Sequence, residues 1–138
     1  SERLDQLATR AAAMAASVAH FAGLLRWAAG QALKLGDSGK ISLPAQLHDA
    51  LLRLLEDRVL QALPALAAAL SHDDFEAGRI TAEQTMVDLD DQARRQALDL
   101  FDDAFPIDGT SDLADRLVQV RCSLRKKLFA KQAKAGGS

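Results

Sequence analysis

Tyrosine is absent from this chain, tryptophan and cysteine occur once each, and proline occurs three times in 138 residues. Aromatics make up 4% of the sequence, and the β-branched residues that favour strands are sparse. These shortages argue against a sheet-based fold. A lone Cys122 cannot close an internal disulfide, which fits a reducing cytoplasm. No apolar run reaches the ~18 residues of a transmembrane helix, and the N-terminus lacks the layout of a signal peptide. The chain opens on Ser1 instead of Met, as a processed chain, a tag remnant or an excised fragment would. What the sequence does hold is helix-forming: 27 Ala and 23 Leu, within a composition 49% apolar and 26% charged. That is too apolar for disorder, and at this length it predicts one domain over 1–138.

A net charge of −2 excludes a globally basic nucleic-acid binder. The distribution says more than the sum. Residues 1–72 carry 7 basic and 6 acidic side chains, and residues 73–115 carry 3 basic and 13 acidic. Residues 116–138 carry 7 basic and none acidic. An acidic third segment is therefore followed by a basic fourth one.

Hydrophobic periodicity predicts four helices, at about 2–35, 43–71, 82–105 and 111–134. In the first, Leu4, Ala11, Val18, Leu25 and Ala32 recur every seven residues. Leu7, Met14, Phe21, Ala28 and Leu35 repeat the spacing three positions on, so one apolar seam is expected along the helix. Gly36-Asp37-Ser38-Gly39 reads as its terminating turn. Ser42 and Pro44 open the second helix, whose face is Leu52, Leu55, Val59, Ala62, Leu63, Leu66 and Leu70. Pro64 is expected to kink it. Glu76–Ile80, containing Gly78, reads as a loop. Thr81 and Gln84 then suggest a capping box for the third helix, with Met86, Leu89, Ala93, Ala97, Leu100, Phe101 and Ala104 inward. Thr110, Ser111 and Asp112 compete to cap the fourth, striped by Leu113, Leu117, Val120, Leu124 and Leu128. The closing Ala135-Gly136-Gly137-Ser138 reads as a tail or a cloning scar. Four amphipathic helices with short connections imply an all-α, antiparallel four-helix bundle with its second helix kinked at Pro64.

Catalytic constellations are missing. Bundles hold di-metal centres through Glu-x-x-His pairs, and His20, His48 and His72 belong to none. Asp88, Asp90 and Asp91, then Asp99, Asp102 and Asp103, lack the Asp-Asp-x-x-Asp spacing that would clamp a metal pyrophosphate, and read as a solvated acidic face. Cys122 has no evident His partner and reads as a small core residue. No glycine-rich phosphate loop occurs. The expectation is a non-enzyme without metal or cofactor.

The positive signal is the last helix. Arg121, Arg125, Lys126, Lys127, Lys131 and Lys134 flank its leucine stripe, an arrangement suited to a DNA phosphate backbone. Basic residues late in a helix also complement its dipole, so solubility and capping explain part of the pattern. Phe129 is the one aromatic residue among these charges, and the pattern is read as backbone contact over base stacking. Trp27, off the first-helix seam, reads as an edge-packing residue or a protein-docking surface.

Three stretches carry a family resemblance. Leu52 through Leu63, with Glu56, Arg58 and Val59, is similar to a segment of the large subunit of the type I-E CRISPR surveillance complex, Cascade. Leu52 and Val59 stand where that family has aromatics. Ala97 through Asp102, then Phe105-Pro106, and Ala114 through Arg121 with Leu124 and Leu128, resemble its later helices. The resemblance falls on the family's C-terminal four-helix bundle; a type I small subunit is the related possibility. It implies a cytoplasmic, nuclease-free component of antiviral defence. Its implied partners are other Cascade subunits, DNA backbone without sequence preference and the helicase-nuclease, with no membrane. The competing expectation is a helical protein–protein adaptor that binds no nucleic acid, using the heptad seam of the first helix.

Overall fold

A computed structural model describes residues 2–36 and 42–130. Among these residues the chain forms four α-helices: α1 (Glu2–Leu35), α2 (Leu43–Leu70), α3 (Phe75–Ala104) and α4 (Asp112–Leu128). Neighbouring helices alternate in direction. Met14 on α1 meets the core beside Leu66 on α2, while Asp102 on α3 meets Arg121 on α4. This is the antiparallel four-helix bundle expected from the apolar periods.

The helices are unequal, and that shapes the core. At 1.5 Å per residue, α1 with its 34 residues is about 51 Å long, and α4 with 17 is about 26 Å. α4 therefore covers only one half of the bundle. In that half, Phe21, Leu25, Leu51, Leu55, Phe101, Leu117, Leu124 and Leu128 form one core shared by all four helices. In the other half, Met14, Leu66, Ala69, Ala82 and Leu89 form a smaller core among α1, α2 and α3. The backbone of α1 runs close to each of the other three helices, whereas the described backbones of α2 and α4 stand apart across the shared core. Ala22, Ala28, Ala29 and Ala32 on α1, with Ala82, Ala93 and Ala97 on α3, are buried. Such small side chains let helix axes come close.

The heptad seam of α1 is buried from Met14 to Ala32, and it widens to include Ala22 and Ala29 where α4 joins. Leu4, beyond the reach of the smaller core, is exposed. α2 runs unbroken from Leu43 to Leu70 through Pro64, which lies on the exposed side near the equally exposed Leu60. Proline supplies no N–H to the carbonyl four residues earlier, and on this face water can take that place. Leu113, assigned inward by its spacing, is exposed, and Ala114 is buried in its stead.

The expected loop at Glu76–Ile80 is instead the start of α3. Asp74 is the cap: its carboxylate accepts the Ala77 N–H at 3.1 Å. His72 Nδ1 accepts the Asp74 N–H at 3.0 Å and holds the turn. Thr81 is already inside the helix and donates its hydroxyl to the Ala77 carbonyl at 3.0 Å. Gly78 is there because α3 begins hard against the end of α2. A Cβ on Gly78 would collide with the Ala69 carbonyl oxygen. Gly109, at φ 76°, supplies the left-handed turn between α3 and α4.

α4 is shorter than expected and ends at Leu128, with Phe129 as its C-cap. Ser111 wins the N-cap, accepting the Ala114 N–H at 3.1 Å. Lys131, Lys134, the 135–138 tail and positions 37–39 of the first turn lie outside the described residues.

Candidate nucleic-acid interface

The basic segment is presented by the end of α4. Leu117, Leu124 and Leu128 fix the rotation of the helix by packing into the large core. Each residue turns the helix by about 100°, so Arg125, Lys126 and Lys127 fan across its solvent side. All three are exposed. Arg125 leans toward Phe129, 5.8 Å from the ring centroid. Lys127 leans the other way and holds its ammonium 4.9 Å above the ring of Trp27 on α1. Lys126 lies between them. Among the described residues, no carboxylate pairs with any of the three.

Arg121 is placed differently. Its Nε and Nη2 donate to the two carboxylate oxygens of Asp102 at 2.7 and 3.1 Å. Those bonds, ahead of the opposing desolvation, hold its guanidinium above the ordinary arginine pKa. Arg121 therefore joins α4 to α3, and its charge is largely cancelled.

Arg94 on α3 escaped notice in the sequence. Its Nη1 donates to the Leu128 carbonyl at the C-terminus of α4. The guanidinium lies 4.8 Å from the Phe21 centroid and 5.9 Å from that of Phe129. The same corner holds Asp90, half-buried, whose carboxyl is pushed up by desolvation against the opposing pull of Ser17 and Arg94. Residues 34 positions apart make this contact, and no local pattern announces it.

Trp27 belongs to the edge between α1 and α4. With Gln31 and Leu35 it faces Arg116, Gln119, Val120 and Ser123 across a surface groove of about 420 Å³. Arg116 pairs with Asp112, one turn away, at 3.0 Å. A second groove, of about 380 Å³, lies between α1 and α2 and is lined by Ala15, Val18, Leu52, Glu56, Val59 and Leu60, among others. The outward side of α1 there is small and apolar: Ala12, Ala15, Ala16, Ala19 and Gly23 are exposed, and no Asp, Glu, Lys or Arg occurs between Arg10 and Arg26.

Among the described residues, no three His, Cys, Asp or Glu side chains gather as a metal site, and no helix is long and apolar enough to cross a membrane. His20 lies against Phe21, His48 beside Asp49, and His72 in the α2–α3 turn. Cys122 is exposed and is not the core residue its apolar character suggested, because it points away from the Leu117–Leu124 stripe. Comparison with protein-family models, curated proteins and solved structures finds no match to this chain.

Proposed function

We propose that this chain is a non-catalytic helical-bundle component of an RNA-guided CRISPR surveillance complex of the Cascade type, acting in the cytoplasm in antiviral defence. The end of α4 contacts DNA backbone, and the outer helix faces contact neighbouring subunits and the helicase-nuclease. The observation that carries the reading is the trio Arg125, Lys126 and Lys127, exposed together without carboxylate partners among the described residues. Arg10, Arg79, Arg95, Arg116 and Arg121, by contrast, each engage a carboxylate. A local surplus of positive charge is what phosphate contact requires, through release of condensed counterions. In a guide-directed complex the RNA reads the sequence, so a bundle needs only charge and shape. The resemblance of the α2, α3 and α4 segments supplies the choice of complex.

Charge reversal at all three positions is the test. Binding to duplex DNA is expected at ~10–100 µM for the isolated chain at physiological salt, independent of base sequence. Its logarithm should fall against log salt with a slope near −3 for three phosphates. The triple reversal should remove this binding and leave the helical circular dichroism intact. Co-purification with the other Cascade subunits tests the assembly.

A second reading has its own observation. The charge-free outer side of α1 and the apolar groove beside Leu52 and Val59 suit a protein partner. An adaptor without nucleic-acid binding would show no DNA affinity and no response to the triple reversal.

A further inference from the structure

The only tryptophan in the chain is 38% exposed, although its neighbours Ala28 and Ala29 are fully buried. The core has no use for the open part of the indole. Tertiary packing surrounds that ring with what the α4 sequence lacks an aromatic to complete. Lys127 stands over the ring, and Arg116 sits about three turns back along α4, roughly 16 Å away. Between them Gln31, Gln119 and Ser123 offer neutral donors and acceptors along the groove.

From this we infer that the α1–α4 groove takes a single-stranded nucleic-acid segment, with one base stacked on Trp27, an adjacent phosphate on Lys127 and a phosphate further along the strand on Arg116. The inference rests on the backbone-binding reading above and adds to it a strand type and a base contact. Lys127 is exposed and its ammonium is carried on a flexible stem, so it can swing from the indole face to a phosphate as a base arrives. Arg116 must loosen its bond to Asp112, an exposed i,i+4 pair of the kind that contributes little stability. An indole face accepts any base, so the contact keeps binding independent of sequence. An acidic peptide would use the two cations and leave the aromatic face without a role.

With one tryptophan and no tyrosine, intrinsic emission reports on this site alone. The full chain is titrated with a thymidine 12-mer, an abasic 12-mer of equal charge, a duplex and poly-glutamate. Emission is read for the unsubstituted protein, and anisotropy of labelled ligands for Trp27→Ala and Trp27→Phe. The thymidine strand should quench Trp27 and bind more tightly than the abasic strand. Trp27→Ala should lose about tenfold for the thymidine strand, within the range of one base–aromatic stack. Abasic and duplex affinities should stay within twofold, and Trp27→Phe should recover part of the loss. Equal binding of thymidine and abasic strands, or no loss in Trp27→Ala, overturns the stacking inference while the backbone reading stands. Failure of both strands and the duplex to bind overturns both. Quenching by poly-glutamate as strong as by the thymidine strand overturns the inference in favour of an acidic protein partner.

Discussion

Arg94 on α3 donates a hydrogen bond to the Leu128 carbonyl, the last residue of α4, and so anchors the shortest helix of the bundle by its C-terminus. The contact satisfies a helix-end carbonyl that has no partner within the helix, and it sets a positive charge at the negative end of the dipole. Phe21 and Phe129 add cation–π contact to the same guanidinium. Arg94→Ala should therefore cost about 2–3 kcal/mol, combining a charged hydrogen bond with an aromatic contact. Arg94→Lys should recover only part, since an ammonium cannot both stack and fork. Urea denaturation gives the stability, and hydrogen exchange should show the α4 amides losing protection first.

Gly78 and Gly23 are both helical glycines, and alanine should move stability in opposite directions at the two sites. At Gly78 the new methyl would strike the Ala69 carbonyl, a backbone atom that cannot turn aside. Gly78→Ala should destabilise by about 2 kcal/mol or more, in spite of the better helix propensity of alanine. At Gly23 and Gly30 a Cβ meets nothing, so Gly→Ala should stabilise each by roughly 0.5–1 kcal/mol. Thermal melts of the three single variants decide this.

Asp90 makes stability depend on pH in an unusual direction for a carboxylate. Desolvation raises its folded pKa in spite of Ser17 and Arg94, so the native state holds this proton more tightly than the unfolded chain does. The contribution of Asp90 is therefore most favourable at acid pH and is lost as pH rises through the folded value. Asp90→Asn should be more stable than the unsubstituted protein at neutral pH. The gap should close as pH falls into the ordinary carboxylate range. Equal melting temperatures at pH 7 would contradict this.

Asp102 is bound to Arg121, which leaves Asp99 and Asp103 as exposed acids without a third ligand. Millimolar Mg²⁺ should not raise the melting temperature. Asp102→Ala should cost about 1 kcal/mol, as expected for a partly exposed pair, and should free Arg121 for phosphate. The variant should then bind DNA slightly more tightly, with a salt slope steeper by about one. An unchanged slope would show that Arg121 stays too close to α3 to reach the backbone.

Helix number, helix direction and most of the inward residues were legible from the chain alone. Periods such as Met14, Phe21, Ala28 and Leu55, Leu66 arise from 3.6 residues per turn, and burial against any partner rewards the same spacing. Leu51, fully buried where the spacing points to Leu52, was not among them. The exposed cations at 125–127 were legible too, because three consecutive residues cannot all face inward on one helix. In sequence Gly78 reads as a loop residue, since a glycine that ends a helix and one that admits a neighbouring backbone look alike there. Only the approach of Ala69 separates them. Arg121 looked no different from Arg125 until Asp102 on another helix neutralised it. Trp27 and Lys127, a hundred residues apart, share one surface because α1 and α4 run antiparallel. Local pattern determines which side of each helix turns inward. Which polar side chains then meet depends on the packing of whole helices, and that is a property of the tertiary structure.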